Sequence, residues 1–231
     1  MLSLRDDTQA RNLSRFFKTG PGQYGEGDRF LGIKVPRTRE VVKQCWKDCT
    51  MPDVEELLES EYHEIRLAAL LILVRMYRHS RKDEPGRRRI VEFYLSHTEK
   101  VNNWDLVDLS CYEILGPWCL DHPEDRAMLP RLARDGATVW EQRIGVVSTM
   151  ALVRAGEFDE CLECADVLLH HSHDLIHKAT GWLLREVGNR DGELLRSFLS
   201  SRYRIMPRTM LRYAIEKFPE EERLKYLKGE I

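Results

Sequence analysis

Arg143-Ile144-Gly145-Val146-Val147 is one copy of a pattern that recurs along the chain. Arg66-Leu67-Ala68-Ala69-Leu70, Lys178-Ala179-Thr180-Gly181-Trp182 and Arg212-Tyr213-Ala214-Ile215 likewise set a cation ahead of small and apolar residues. Arg143 and Lys178 are 35 residues apart, and Lys178 and Arg212 are 34 apart. The same slot 35 residues before Arg143 holds an acid, Asp108, and Arg66 lies 42 further back, the excess falling in the 81–89 connection. A period of this size with two helices per unit marks a stacked helical array, and its small residues let neighbouring helices approach closely. The Trp-Leu-Gly signature of tetratricopeptide units is missing. The expected fold class is therefore all-α, an α-solenoid of HEAT-like helix pairs with a concave cationic face.

Outward from these copies, almost nothing reads as strand. Apolar spacing predicts helices at 4–17, 36–49, 53–60, 61–79, 88–97, 103–120, 126–134, 138–154, 158–170, 174–189, 192–199 and 207–218. The one long loop is Thr19-Gly20-Pro21-Gly22-Gln23-Tyr24-Gly25-Glu26-Gly27, dense in helix breakers. It leads to Phe30-Leu31-Gly32-Ile33-Lys34-Val35-Pro36, where Pro36 suits the first position of a helix. One domain, 1–231, is expected: an N-terminal helix and Gly-rich loop over 1–35, repeats over 36–218 and a cap over 219–231.

With 42% apolar and 32% charged residues the composition is that of a well-solvated globular chain. A formal net charge of −2 excludes a polycation, so any nucleic-acid surface must arise from charge gathered on one side. No apolar run is long enough for a membrane span, and Met1-Leu2-Ser3-Leu4-Arg5-Asp6-Asp7 has no signal-like core, which predicts a cytoplasmic protein without a membrane partner. The six cysteines fall inside apolar-periodic segments, as reduced, partly buried thiols do. Cys161 and Cys164, followed by His170, His171, His173 and His177, contain the ingredients of a zinc site but lack its spacing, so no metal and no cofactor is expected.

The chemically informative stretch is Asn102-Asn103-Trp104-Asp105-Leu106-Val107-Asp108. Asn103 suits a helix N-cap, and Trp104 and Asp108 project from one face, four residues apart, off the stripe formed by Val107, Cys111, Ile114 and Leu115. Stacked repeats would align Arg66, Arg143, Lys178 and Arg212 with Asp108 among them, a row of cations suited to a phosphate backbone. Trp104 and Trp182 fall near the same ridge. The competing reading pairs these cations with acids on neighbouring helices.

From Phe30 to Phe218 the chain resembles the AlkD-type DNA alkylation-repair glycosylases, all-helical proteins built from HEAT-like repeats. The resemblance is carried by Phe30-Leu31-Gly32-Ile33 with Pro36, by Asn103-Trp104-Asp105-Leu106-Val107-Asp108, by Trp140-Glu141-Gln142-Arg143, and by Lys178-Ala179-Thr180-Gly181-Trp182-Leu183-Leu184-Arg185-Glu186. It implies excision of cationic N3- or N7-alkylated purines, such as 3-methyladenine and 7-methylguanine, from duplex DNA without base flipping. On that resemblance Asp108 is the catalytic carboxylate and Trp104 and Trp182 contact the lesion's sugar and backbone. Arg143 and Arg185 hold phosphates; Lys178, Arg66 and Arg212 belong to the cation row, and Lys34 stands where some relatives carry a small polar residue and can meet a phosphate. The expected partner is alkylated double-stranded DNA, met by a monomer associated with the nucleoid. The alternative is a non-catalytic HEAT-type module that binds DNA or protein, for which Trp104, Asp108 and Trp182 need not coexist.

Overall fold

The computed structural model describes residues 1–231 and is all-helical. Three turns of 3-10 helix aside, the order begins α1 (Asp7–Phe16), α2 (Val35–Cys45), α3 (Met51–Leu58), α4 (His63–His79), α5 (Glu84–Ser96) and α6 (Trp104–Asp121). It continues α7 (Met128–Asp135), α8 (Val139–Ser148), α9 (Met150–Ala155), α10 (Asp159–Val167), α11 (Asp174–Arg190), α12 (Gly192–Ser200), α13 (Arg208–Ala214) and α14 (Glu220–Lys228). The chain divides into two compact units, Met1–Ser110 and Cys111–Ile231, with the division inside α6. No helix is long and apolar enough to cross a membrane.

In the first unit α4 is the axis. It packs against α2, α3 and α5, and the continuous run from Leu67 to Val74 is buried, as expected of a helix apolar on every side. Capping residues set the starts around it. Asp6 accepts from the Thr8 and Gln9 amides at the head of α1, and Thr50 and Asp53 form a capping box on α3. Asp83 accepts from the Gly86 amide and starts α5 earlier than the apolar spacing predicts.

Between loop and helix, the segment Leu31-Gly32-Ile33 has no backbone ladder to join. A side chain supplies what is missing: the Glu64 carboxylate, 2% exposed, accepts from the amides of Leu31 (2.9 Å), Gly32 (2.8 Å) and Ile33 (3.0 Å). Gly32 has φ +86°, and a Cβ there would sit 2.1 Å from the Asp6 carbonyl oxygen, so only glycine lets the first turn of α1 lie on this strap. The Asp6 amide completes the join by donating to the Leu31 carbonyl at 2.9 Å.

In the second unit α7 packs on α8 and on α10, and α11 packs on α8, α10, α12 and α13. The small residues of the repeated pattern make the close approaches expected of them. A Cβ on Gly145 would meet Leu129 and Ala133 of α7 at 2.6 Å, and one on Gly181 would meet Met210 of α13 at 2.5 Å. The helix predicted over 138–154 is broken at Thr149, whose buried hydroxyl donates to the Val146 carbonyl at 2.7 Å and competes with the helical ladder.

Because three buried N–H groups depend on one side chain, Glu64→Ala should lower the unfolding free energy by about 3 kcal/mol or more. Glu64→Gln, whose amide oxygen still accepts, should lose about half as much. Urea denaturation of the three proteins measures this; a loss below about 1 kcal/mol for Glu64→Ala would mean that the strap is held by something else.

Candidate nucleic-acid interface

The start of α6 is built on buried charge. His63, at the head of α4, places its Nδ1 3.1 Å from Asp28 and its Nε2 2.9 Å from Asp105. With an acceptor on each ring nitrogen, the imidazole is an imidazolium donating both protons. Burial alone would lower its pKa, but the bonds to Asp105 and Asp28 outweigh burial and hold it up to about 9. At Asp28 burial acts to raise the pKa, and His63, Arg66 and Asn103 together hold it below the ordinary value. Arg66 donates to Asp28, to the Ser60 carbonyl (2.8 Å) and to Asn102 Oδ1 (3.2 Å). Asn103 donates to Asp28 at 3.0 Å, and its Oδ1 accepts from the Trp104 amide at 2.9 Å. The Gly-rich loop, through Asp28, is thereby tied to the residues that open α6.

From that anchored end Trp104 and Asp108 project one turn apart, both half-buried. The Trp104 ring stacks on Phe17, with centroids 5.4 Å apart, and meets the edge of Phe16 at 6.0 Å. Phe17 in turn stacks on Phe30 at 5.1 Å, and Phe30 on His63 at 4.7 Å. One side of the indole is therefore backed by a pile of rings that ends on the charged imidazole, a favourable contact for a cation.

In the second unit α11 carries Lys178, Trp182 and Arg185 in successive turns. Trp182 is half-buried. Lys178 pairs with Asp174 at 2.8 Å, and Arg185 pairs with Glu216 and, at 3.6 Å, with Glu186. Arg212 on α13 and Lys34 at the cap of α2 are exposed.

The cation row requires correction. Arg66 and Arg143 are each 5% exposed and lie inside helix contacts. Arg66 reaches Asn102, just ahead of α6, and Arg143 donates to the Leu175 carbonyl in the first turn of α11. In both copies the cation ties down the start of the next long helix, so neither side chain is offered to a phosphate. The cation slot of the recurring pattern is structural at these two positions.

Cys161 and Cys164 are buried, and burial pushes the Cys161 thiol up to about 12 and Cys164 well above its usual range, so both are inert apolar packing groups. His171 bonds Gln142 at 2.9 Å and His177 bonds the His171 carbonyl; no three His, Cys, Asp or Glu side chains are gathered to hold a metal ion. Sequence reasoning overlooked Asp28, His63, Glu64 and Asp105. The available signal was polar His63-Glu64 opening an otherwise apolar helix.

Fold and site together define an all-helical protein whose first unit presents an indole and a carboxylate from a charge-anchored helix start. The DNA alkylation repair enzyme family matches residues 1–218, and the chain belongs to that family. A solved structure described as a predicted DNA alkylation repair enzyme from Enterococcus faecalis shares the fold, with a TM-score of 0.73 and 14% identity over 94% of this chain and 97% of that one. No curated protein matches the chain.

The network has a pH signature. A folded pKa raised from 6.5 to about 9 contributes stability that is fully present below pH 6.5 and is lost as pH rises through 9. The stability of the protein should therefore fall by on the order of 3 kcal/mol across that interval, and His63→Gln should flatten the dependence while lowering stability at pH 6. Thermal melts of both proteins from pH 6 to 10 test this; parallel curves would show that His63 is not the titrating group.

Proposed function

We propose that this protein is a DNA glycosylase that excises cationic N3- and N7-alkylated purines from duplex DNA as a monomer. The observation that carries the reading is the placing of Trp104 and Asp108, both half-buried, one turn apart at the anchored α6 start, in a chain of the DNA alkylation repair enzyme family.

The chemistry accounts for so few residues. An alkylated purine already carries positive charge, so it leaves without a general acid, taking the electron pair of the bond to C1′ and becoming neutral. The sugar becomes oxocarbenium-like, as in other glycoside cleavages. The Asp108 carboxylate opposes that growing charge and orients the water that adds to C1′, and the water's second proton is released to solvent. The indole face of Trp104, beside Asp108, favours the cationic sugar, the half-buried indole of Trp182 offers the backbone a second aromatic face, and a lesion approached from its sugar side need not leave the stack. Exposed Arg212 and Lys34, with Lys178 and Arg185 exchanging their carboxylate partners, hold phosphates.

Asp108→Asn should keep its affinity for duplex DNA, or bind slightly tighter, and lose on the order of 10²–10³ in excision rate. Single-turnover release of 7-methylguanine from methylated duplex, at saturating enzyme and with binding measured separately, gives the answer. Equal rates for the two proteins would reduce Asp108 to an ion-pair residue; absence of release by the native protein would leave a DNA-binding module.

A further inference from the structure

We propose that the end of α1 is a second DNA-contact element, in which Phe16 stacks on the nucleotide beside the lesion while Arg11, Arg15 and Lys18 hold the flanking phosphates. The inference deepens the glycosylase reading and rests on it for the identity of the lesion.

Phe16 is 63% exposed, unusual for a phenylalanine whose helix has a buried neighbour, Phe17, available for packing. It is not loosely placed. Its ring lies edge-on to Phe17 at 5.1 Å and 90°, and edge-on to Trp104 at 6.0 Å and 70°. Tyr24 Oη donates to its carbonyl at 3.3 Å, and the Gly25 amide bonds back to the Lys18 carbonyl at 3.1 Å, so the Gly-rich loop braces the helix end. A pre-set aromatic face next to Trp104, open to solvent, offers what base and sugar faces recognise.

The charge around it is mainly positive, and Asp7, on the α1 face of Arg11 and Arg15, is held by Arg5 at 2.6 Å. Arg11 bonds only the Thr8 hydroxyl, at 3.2 Å, Arg15 forms no ion pair, and Lys18 lies over the Tyr24 ring at 5.8 Å. The nearby acid Glu26 is turned into its own loop, accepting from the Gly22 amide at 2.8 Å. These cations differ from Lys178 and Arg185, which hold carboxylates. Arg11 and Arg15 share one helix face, and Lys18 follows with φ 52°, its strained backbone directing the chain away beyond Phe16. An aromatic and cations at a helix end also describe a patch for an anionic membrane surface; contact with Trp104 favours DNA, because it makes the patch continuous with the candidate site.

The full-length protein, Phe16→Ala, and the double variant Arg15→Gln with Lys18→Gln are compared for binding to two fluorescent duplexes, one undamaged and one with a tetrahydrofuran abasic-site analogue. Phe16→Ala should bind the abasic duplex about tenfold more weakly and lose its preference over the undamaged one. The double variant should weaken both alike and flatten the slope of log affinity against log salt by about two. Phe16→Leu, which keeps apolar bulk without a ring, should follow Phe16→Ala, and guards against a folding defect, checked by circular dichroism. Duplex binding unchanged in Phe16→Ala overturns the proposal, as does a loss confined to phosphatidylserine vesicles. If the native protein releases no 7-methylguanine but needs Phe16 to prefer the abasic duplex, the chemistry falls and this contact stands. Normal release with Phe16→Ala binding unchanged gives the reverse.

Discussion

Two neighbouring side chains at the head of α4, His63 and Glu64, carry charge into the interior of the first unit, and the approach to the site depends on both. Burying an ion costs several kcal/mol unless its hydrogen-bonding capacity is met. Here it is met: Glu64 receives three backbone amides and His63 reaches two carboxylates. The first arrangement fixes the Leu31–Ile33 strap and, through Gly32, the bed on which α1 lies. The second fixes the loop carrying Asp28 against the opening of α6. Trp104 meets both, packed on Phe17 from α1's end and rooted beside Asn103. The proposed role of Asp108 requires a helix that does not shift, and these contacts hold the start of α6 in place.

Periodicity made most helices legible, because burial on one face leaves a regular trace in sequence. Thr149 escaped, since a hydroxyl that diverts a helical carbonyl looks like any other small residue. The repeated cation-then-small pattern divides instructively. Gly145 and Gly181 do what their size implies, whereas Arg66 meets the Ser60 carbonyl, Asp28 and Asn102 in connecting segments and Arg143 meets a carbonyl of α11. Sequence tells on which side of a helix a guanidinium emerges; it does not tell whether an acceptor from a neighbouring segment waits there. The buried cluster was hidden for a related reason. Asp28, His63 and Asp105 are far apart along the chain, and each alone is an unremarkable polar residue.

These corrections change where a phosphate backbone can be met. A buried arginine bonded to a carbonyl can turn to DNA only by giving up that bond, which for a charged donor costs about 1.5–3 kcal/mol. The Lys178–Asp174 pair is different. Both partners are substantially exposed, and such pairs are worth about 0–1 kcal/mol, so exchanging Asp174 for a phosphate costs little. With a net charge of −2, affinity must come from local groups of this kind.

The buried cluster also bears on the electrostatics of the proposed chemistry. Asp28 and Asp105 are balanced by His63 and Arg66, so below the His63 pKa of about 9 the group adds no net charge to its surroundings. It can therefore hold α6 in place without competing with Asp108 for a cationic sugar or repelling the cationic base. Deprotonation of His63 would end that neutrality: two carboxylates would face one arginine, the geometry would loosen, and a second negative centre would lie one helical turn from Asp108. Holding the imidazole charged across the neutral range keeps positioning and catalysis in separate groups. In the proposed reaction a single carboxylate then acts on the bond that breaks, while the charges that orient it remain silent.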